Sequence, residues 1–174
     1  MSVLATNAIT DASGGNTATI NSYTPTESNM AGRNRIINGD MRIDQRNAGA
    51  SVTPASGAYT LDRWQAILSQ ASKYSVQQNA GSVTLPAGFI NYLGVTSLSA
   101  YTVGASEVFN INQKIEGLNS SDLAWGTASA VSVTLSFLIR SSLTGTFGGS
   151  LQNSAQNRSY PSSFTVSSAN TWEQ

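Results

Sequence analysis

The clearest indication of the fold is the regular alternation in Val131-Ser132-Val133-Thr134-Leu135-Ser136-Phe137-Leu138-Ile139. Apolar side chains occupy every second position of this stretch, and Ser or Thr separates the first four of them. Successive side chains of a β-strand point to opposite faces, so a period of two predicts a strand with one buried and one solvated face. We therefore expect this segment to be a strand of a half-buried sheet.

Shorter runs with the same period lie on both sides of this stretch, and each is predicted to be a strand with a single core face. Their apolar positions are Met41 and Ile43, then Trp64, Ala66 and Leu68, then Tyr74 and Val76 as the second arm of a hairpin, then Phe109, Ile111 and Ile115, and finally Phe164 and Val166. Turn-forming residues separate the runs over residues 47–57, at Gly81, and over residues 86–88, 144–149 and 154–158.

One short helix is predicted between these strands. The capping residues Asn119, Ser120, Ser121 and Asp122 precede Leu123, and Gly126 ends the segment. Seven or eight strands without long connecting helices are typical of two packed sheets. The sequence therefore predicts an all-β fold, a jelly-roll-type β-sandwich over residues 34–174, preceded by an extended N-terminal arm over residues 1–33.

Composition excludes several classes of function. The chain is 40% hydrophobic and only 10% charged, with nine basic and nine acidic residues. No basic stripe is present to neutralise phosphates, so we expect no nucleic-acid partner. No apolar run approaches the roughly 20 residues that span a bilayer, so no membrane insertion is expected. The N-terminus lacks a basic and apolar secretion signal, which predicts synthesis in the cytoplasm of a host cell.

The arm carries few apolar side chains, too few to form a core of its own. These side chains are the candidate docking residues, Val3, Leu4, Ile9, Ile20 and Tyr23. A segment of this composition gains order by lying on another surface. We therefore expect the arm to dock on a neighbouring subunit or on a partner protein.

The absence of His and Cys removes the commonest catalytic groups. Serine–histidine triads, cysteine nucleophiles and ordinary zinc sites all need one of them. Asp40 and Asp44 are four positions apart on a predicted strand, which separates them by about 13 Å. Paired glycosidase carboxylates lie closer, at about 5–9.5 Å. A pair from distant strands, Asp62 with Glu107 or Glu116, stays open, and the prediction is that the protein is not an enzyme.

Two kinds of ligand site are candidates. Trp125 and Tyr101 are the candidate ligand-binding residues, because an aromatic ring among polar neighbours can stack on a sugar. No cofactor is predicted, although calcium is an alternative, since it takes oxygen ligands. Its candidate ligands are Asn38, Asp40, Asp62 and Asp122.

Residues 34–49, which read Asn-Arg-Ile-Ile-Asn-Gly-Asp-Met-Arg-Ile-Asp-Gln-Arg-Asn-Ala-Gly, resemble a motif that recurs in bacteriophage tail-fibre proteins. There it follows a short polar N-terminal segment and opens a β-sandwich. Residues 59–64 resemble the next element of the same family. Weaker matches follow in the same order at residues 113–117, 122–126, 133–137, 157–160 and 169–173.

The resemblance implies a virion protein, a tail fibre anchored by its N-terminal arm, whose jelly roll is similar to carbohydrate-binding modules. Its implied partners are other tail or capsid proteins, further copies of itself in a trimer, and a host surface glycan. In similar proteins another strand follows the segment matching 171–173, so either the rest of the protein or another chain is expected to complete the sandwich. The alternatives are a free glycan-binding module and a capsid-decoration or head-fibre protein.

Overall fold

The computed structural model describes residues 34–174. The predicted arm, residues 1–33, lies outside the described residues. The docking predictions for Val3, Leu4, Ile9, Ile20 and Tyr23 therefore lie outside them too.

The described chain is β-rich, which confirms the all-β prediction. Its strands are β1 (Trp64–Leu68), β2 (Tyr74–Gln78), β3 (Leu93–Ser97), β4 (Phe109–Gln113), β5 (Gly145–Gln152) and β6 (Ser159–Val166). Helical structure in residues 34–174 is limited to three 3-10 turns, Ala80–Ser82, Gly117–Asn119 and Ser121–Leu123. The predicted helix is thus two single turns, because Ser120 interrupts them at φ −132° and Ala124 leaves the helical region at φ 48°.

The strands pair antiparallel as β1–β4, β2–β3 and β5–β6. The predicted hairpin between the Trp64 and Tyr74 runs is wrong, because β1 pairs with the distant β4, which sets Ala66 opposite Ile111 and Leu68 opposite Phe109. Strand β3 was missed by the sequence pattern. These three pairs establish strand pairing alone, so the two-sheet sandwich stays a prediction.

The core lies between the β1–β4 and β2–β3 pairs. Its buried members are Leu61, Ala66, Leu68, Tyr74 and Val76, and half-buried side chains surround them. Ala66 and Leu68 are buried two positions apart along β1, as the period of two predicts, while Gln65 between Trp64 and Ala66 is buried as well. The Tyr74 hydroxyl donates to the Asn110 carbonyl over 3.1 Å, and its burial raises the pKa of Tyr74. Apolar burial and strand pairing therefore coincide in this half of the chain.

The strand predicted over Met41 and Ile43 is wrong, because residues 37–40 and 45–49 form turns. Asn38 and Met41 take the left-handed conformation at φ 55° and 56°, which breaks the alternation of a strand. Asp40 and Asp44 therefore do not lie on one strand in the described chain. Asp40 instead pairs with Arg42 two residues on.

The long alternating stretch that opened the sequence prediction is also not a strand. Within residues 34–174, Ile139 is the only member of this stretch that forms a β-bridge, an antiparallel one with Glu173. The opposite error occurs at residues 144–149, which were predicted to be a turn. Most of them lie in strand β5. The Asn153 side chain closes the β5–β6 hairpin by accepting from the Asn157 and Arg158 amides. The hairpin turn thus brings β6 beside β5, whereas an alternating sequence by itself does not provide a partner strand.

Candidate functional site

The motif at residues 34–49 is a folding element centred on Asn38. The Asn38 amide nitrogen donates to the carbonyls of Ile43 and Asp62, each over 2.9 Å, and its oxygen accepts from the Ile43 amide. The Trp64 indole N–H donates to the Asn38 carbonyl over 3.0 Å. Asn38 therefore closes its own turn and ties it to the start of β1, so its side chain has a structural role.

The neighbouring carboxylates hold backbone turns in the same way. Asp44 accepts from the amides of Asn47 and Gly49 over 3.1 and 2.8 Å. Asp62 accepts from the Gln45 amide over 2.7 Å. Carboxylates that accept amide hydrogens in this way stabilise turns and do not need a ligand. Asp40 and Asp44 thus do not form a pair of free acids.

Two ion pairs join distant parts of the described chain. Arg35 pairs with Asp122 and also donates to the Asn119 carbonyl, which holds the start of the motif against the two 3-10 turns. Arg63 pairs with Glu116 over 2.7 Å and donates to the Lys114 carbonyl. The Arg63 guanidinium lowers the pKa of Glu116 to about 2.

The distant carboxylates proposed as acids also have separate partners. Glu116 faces Arg63, Asp62 faces the Gln45 amide, and Glu107 faces Tyr101. Each of these carboxylates therefore already has a hydrogen-bonding partner among residues 34–174. The prediction that the protein is not an enzyme remains a prediction.

The calcium ligands proposed from the sequence are used elsewhere. Asp40 binds Arg42, Asp122 binds Arg35, and Asp62 binds the Gln45 amide. Across residues 34–174, no three acidic side chains are placed to hold one metal ion. These three carboxylates therefore already have protein partners, and calcium stays the alternative to the prediction of no cofactor.

Tyr101 lies in a small polar and aromatic cluster, defined by Tyr101, Lys73, Glu107 and Phe109. Its hydroxyl donates to Glu107 over 2.6 Å, and the Lys73 ammonium lies 4.4 Å from the ring centroid. Phe109 packs edge-to-face against the ring at 5.8 Å. The hydrogen bond from Tyr101 lowers the pKa of Glu107, and the Gly104 amide adds to this effect. Tyr101 as a whole residue remains 41% exposed, so a ligand can reach part of it.

Trp125 lies elsewhere, after the last 3-10 turn. Its indole N–H donates to the Val131 carbonyl over 2.8 Å, while 51% of the residue is exposed. A ligand at Trp125 would therefore meet a stacking surface without a free donor. Trp125 and Tyr101 contact different neighbours, so each is a separate candidate ligand-binding position.

An exposed apolar row follows Trp125 and is formed by Val131, Val133, Leu135 and Phe137. These side chains are 42–54% exposed. The end of the row borders a cavity of about 240 Å³, whose apolar lining includes Leu135, Phe137, Ile139 and Phe164. Phe137 packs edge-to-face on Phe164 at 5.0 Å. Sequence reasoning placed this row in the core, and the structure places it on the surface.

Comparisons of the chain with protein-family models, with curated proteins and with solved structures match nothing. None of the helices in residues 34–174 is long and apolar enough to cross a membrane. The functional conclusion therefore depends on the quoted motifs and on the contacts described above.

Proposed function

We propose that the protein is a non-enzymatic structural and adhesive component of a bacteriophage particle, of the tail-fibre type. The observation that carries this proposal is the ordered series of motifs beginning with residues 34–49. In the structure, the Asn38 side chain of the first motif donates to the Asp62 carbonyl of the second. The Trp64 indole N–H of the second motif donates to the Asn38 carbonyl. These contacts support treating the two motifs as one structural unit within this chain.

The contacts of the acidic side chains favour binding over catalysis. Asp40, Asp122 and Glu116 pair with arginines, and Asp44, Asp62, Glu107 and Glu173 accept hydrogen bonds from amides or a hydroxyl. An acid–base mechanism needs carboxyl groups free to exchange protons with a substrate. These side chains instead stabilise turns and strand ends.

In this proposal the three strand pairs belong to a jelly-roll-type sandwich, and residues 1–33 anchor it to the particle. The exposed apolar side chains support a role in assembly, since contiguous exposed apolar surface marks interaction sites. Contacts with tail or capsid proteins, with a host glycan and with further copies in a trimer are parts of the same proposal.

Immunogold labelling of intact particles tests this function. We expect gold at the appendages around the tail. Gold on the head would move the function to capsid decoration, and particles without gold would contradict a virion role.

Deletion of residues 1–33 tests the anchor separately. We expect the shortened protein to be lost from purified particles, while circular dichroism still shows the β-rich fold of residues 34–174. A variant with the five apolar arm residues changed to Ser is the matched control for chain length, and it should be lost as well. Retention of both proteins in particles would contradict anchoring by the arm.

The Tyr101 cluster favours a second candidate function, a glycan-binding module. An exposed ring beside a carboxylate and an ammonium offers both stacking and hydrogen bonds to a sugar. Tyr101→Ala should abolish binding on a glycan array, and Tyr160→Ala, which removes an exposed ring of the β5–β6 hairpin, should not. Equal loss in both variants, or no binding by the unmodified protein, would remove this candidate.

A further inference from the structure

The segment at residues 132–138 has an unusual backbone. Its amides and carbonyls make no backbone hydrogen bond within the part of the chain that the structure describes, and it belongs to no helix, turn or strand. Its ends are held: the Val131 amide donates to the Leu123 carbonyl, and Ile139 exchanges two hydrogen bonds of 2.9 Å with Glu173. A row of unpaired backbone groups with strand-forming side chains is a template for another strand.

The segment also lacks the features that keep exposed edges apart. No charged residue and no proline occurs between Asp122 and Arg140. Edge strands that stay single are usually protected by charges, proline or bulges. Residues 131–137 instead present Val131, Val133, Leu135 and Phe137, half exposed, at alternate positions. The segment therefore favours pairing.

We propose that residues 131–137 form a two-fold interface between two copies of this chain, paired antiparallel about Thr134. In this register Val131 faces Phe137, Val133 faces Leu135, and Ser132 faces Ser136. Apolar residues meet apolar residues and hydroxyls meet hydroxyls, with no charge opposite a like charge. Such self-complementarity is what a two-fold contact requires, since the same patch is used twice.

Among residues 34–174, the existing contacts indicate which edge of the segment is free. Leu123 and Glu173 take up the backbone groups of Val131 and Ile139, at the two ends of one edge. Alternate residues of a strand direct their backbone groups to opposite edges, so Ser132, Thr134 and Ser136 serve the other edge. The second copy pairs there, and the apolar rows of both copies then form one continuous face beside the cavity at Phe164.

This inference goes beyond the proposed function, because it holds whether or not the protein belongs to a particle. It differs from the trimer that is part of the proposed function, since a two-fold contact joins chains in pairs. The mass in solution therefore distinguishes the two arrangements.

Single-cysteine variants of the full chain test the register, and the chain has no cysteine to interfere. In the proposed pair, residue 134 faces itself at about 5.5 Å between α-carbons, within reach of a disulfide. Thr134→Cys should give a linked dimer on mild oxidation. Ser132→Cys and Ser136→Cys should link efficiently only when mixed.

Ser154→Cys, in the exposed loop of the β5–β6 hairpin, is the control for random collision and should stay largely unlinked. If Thr134→Cys links no better than Ser154→Cys, the proposed register is wrong. Linkage of Ser132→Cys alone as fast as Thr134→Cys would also overturn it.

Analytical ultracentrifugation tests the interface without cross-linking. We expect the unmodified protein to sediment as a pair, and Val133→Lys to raise the dissociation constant at least tenfold. Val103→Lys places the same charge on an exposed loop and should leave the pair intact. A monomer or a trimer in the unmodified protein would overturn the inference. Neither result would bear on the location of the protein in particles, which immunogold labelling decides separately.

Discussion

Strand pairing and burial coincide in one region of this protein and separate in another. Strands β1 to β4 have only five residues each, yet they enclose Leu61, Ala66, Leu68, Tyr74 and Val76. Strands β5 and β6 pair over eight residues each, yet their only buried residue is Val166. A long ladder of hydrogen bonds therefore does not make a core. Stability comes mainly from the apolar area that the shorter strands remove from water.

The aromatic rings of the β5–β6 hairpin also contact one another without becoming fully buried. In the β5–β6 hairpin, Phe147 stacks on Phe164 at 5.9 Å, and Phe137 meets Phe164 from the unpaired segment. All three rings keep part of their surface in water. A two-stranded hairpin is marginally stable alone. We therefore expect substitutions to be costly around β1 and β2 and mild in the hairpin.

The largest effect is expected from Leu61→Ala. Leu61 is 1% exposed, and truncation of a buried leucine removes transfer energy and leaves a cavity. The free energy of unfolding should fall by about 2–5 kcal/mol. Leu143→Ala, at an exposed position beside β5, should change it by less than about 0.5 kcal/mol. Urea denaturation measures both, and equal effects would contradict the contrast between the two regions.

Glycines in the two regions should also differ. A β-carbon added at Gly94 in β3 would lie 2.5 Å from the Ala80 β-carbon, whereas one at Gly148 in β5 would meet nothing within 4 Å. Gly94→Ala should cost about 1–3 kcal/mol through this overlap. Gly148→Ala should be neutral or slightly stabilising, because alanine loses less backbone entropy on folding. Thermal denaturation of the two variants measures this difference in stability. If Gly94→Ala were tolerated as well as Gly148→Ala, β3 and the 3-10 turn at Ala80–Ser82 would have to move apart readily.

Asn38 tests whether the opening motif stabilises the buried region. Asn38→Gly keeps the left-handed conformation accessible but removes three side-chain hydrogen bonds, so the loss should be about 1–3 kcal/mol. Asn38→Ala adds backbone strain and should cost more. Asn34→Gly, which removes one hydrogen bond to the Ile36 amide, is the milder control. In chemical denaturation we expect the largest loss of stability for Asn38→Ala, a smaller loss for Asn38→Gly and the smallest for Asn34→Gly. No loss in Asn38→Gly would show that the three side-chain hydrogen bonds of Asn38 are dispensable.

The smallest effect is expected from pH. The Arg63 side chain lowers the pKa of Glu116 to about 2 from an ordinary value near 4.5. A lowered pKa in the folded state stabilises the fold above the unfolded value, and this stabilisation is lost as pH falls from 4.5 through about 2. Both groups are exposed enough for solvent to weaken the effect.

Glu116→Gln should therefore lose less stability than the unmodified protein between pH 4.5 and 2, as denaturant midpoints would measure. Glu173→Gln provides the comparison in the other region, since the Ser167 and Ser168 amides lower the pKa of Glu173. A pH profile unchanged by Glu116→Gln would mean that the ion pair contributes nothing measurable.

The sequence pattern predicted a strand correctly where its apolar residues have something to pack against. The runs at Trp64, Tyr74, Phe109 and Phe164 lie within strands, because their apolar residues have a core or a partner ring to face. Strand β3 was missed, since Gly94 and exposed neighbours hide its period. The candidate ligand residues Tyr101 and Trp125 could be named from sequence, but the Glu107 and Lys73 contacts of Tyr101 join residues that no local pattern connects.

By itself the sequence determined the all-β class, through the period of two and the scarcity of helix-forming runs, and it identified turn residues such as Gly81 and Gly126. Only the tertiary structure decided which segments pair, that the regular stretch at residues 131–137 is exposed and pairs with no other strand of residues 34–174, and that residues 145–152 form a strand. The physical reason is that alternation specifies which side chains share a face, whereas a strand also needs a second backbone at hydrogen-bonding distance. That second backbone is distant in the chain for β1, adjacent for β5, and for residues 131–137 is the second copy that we propose.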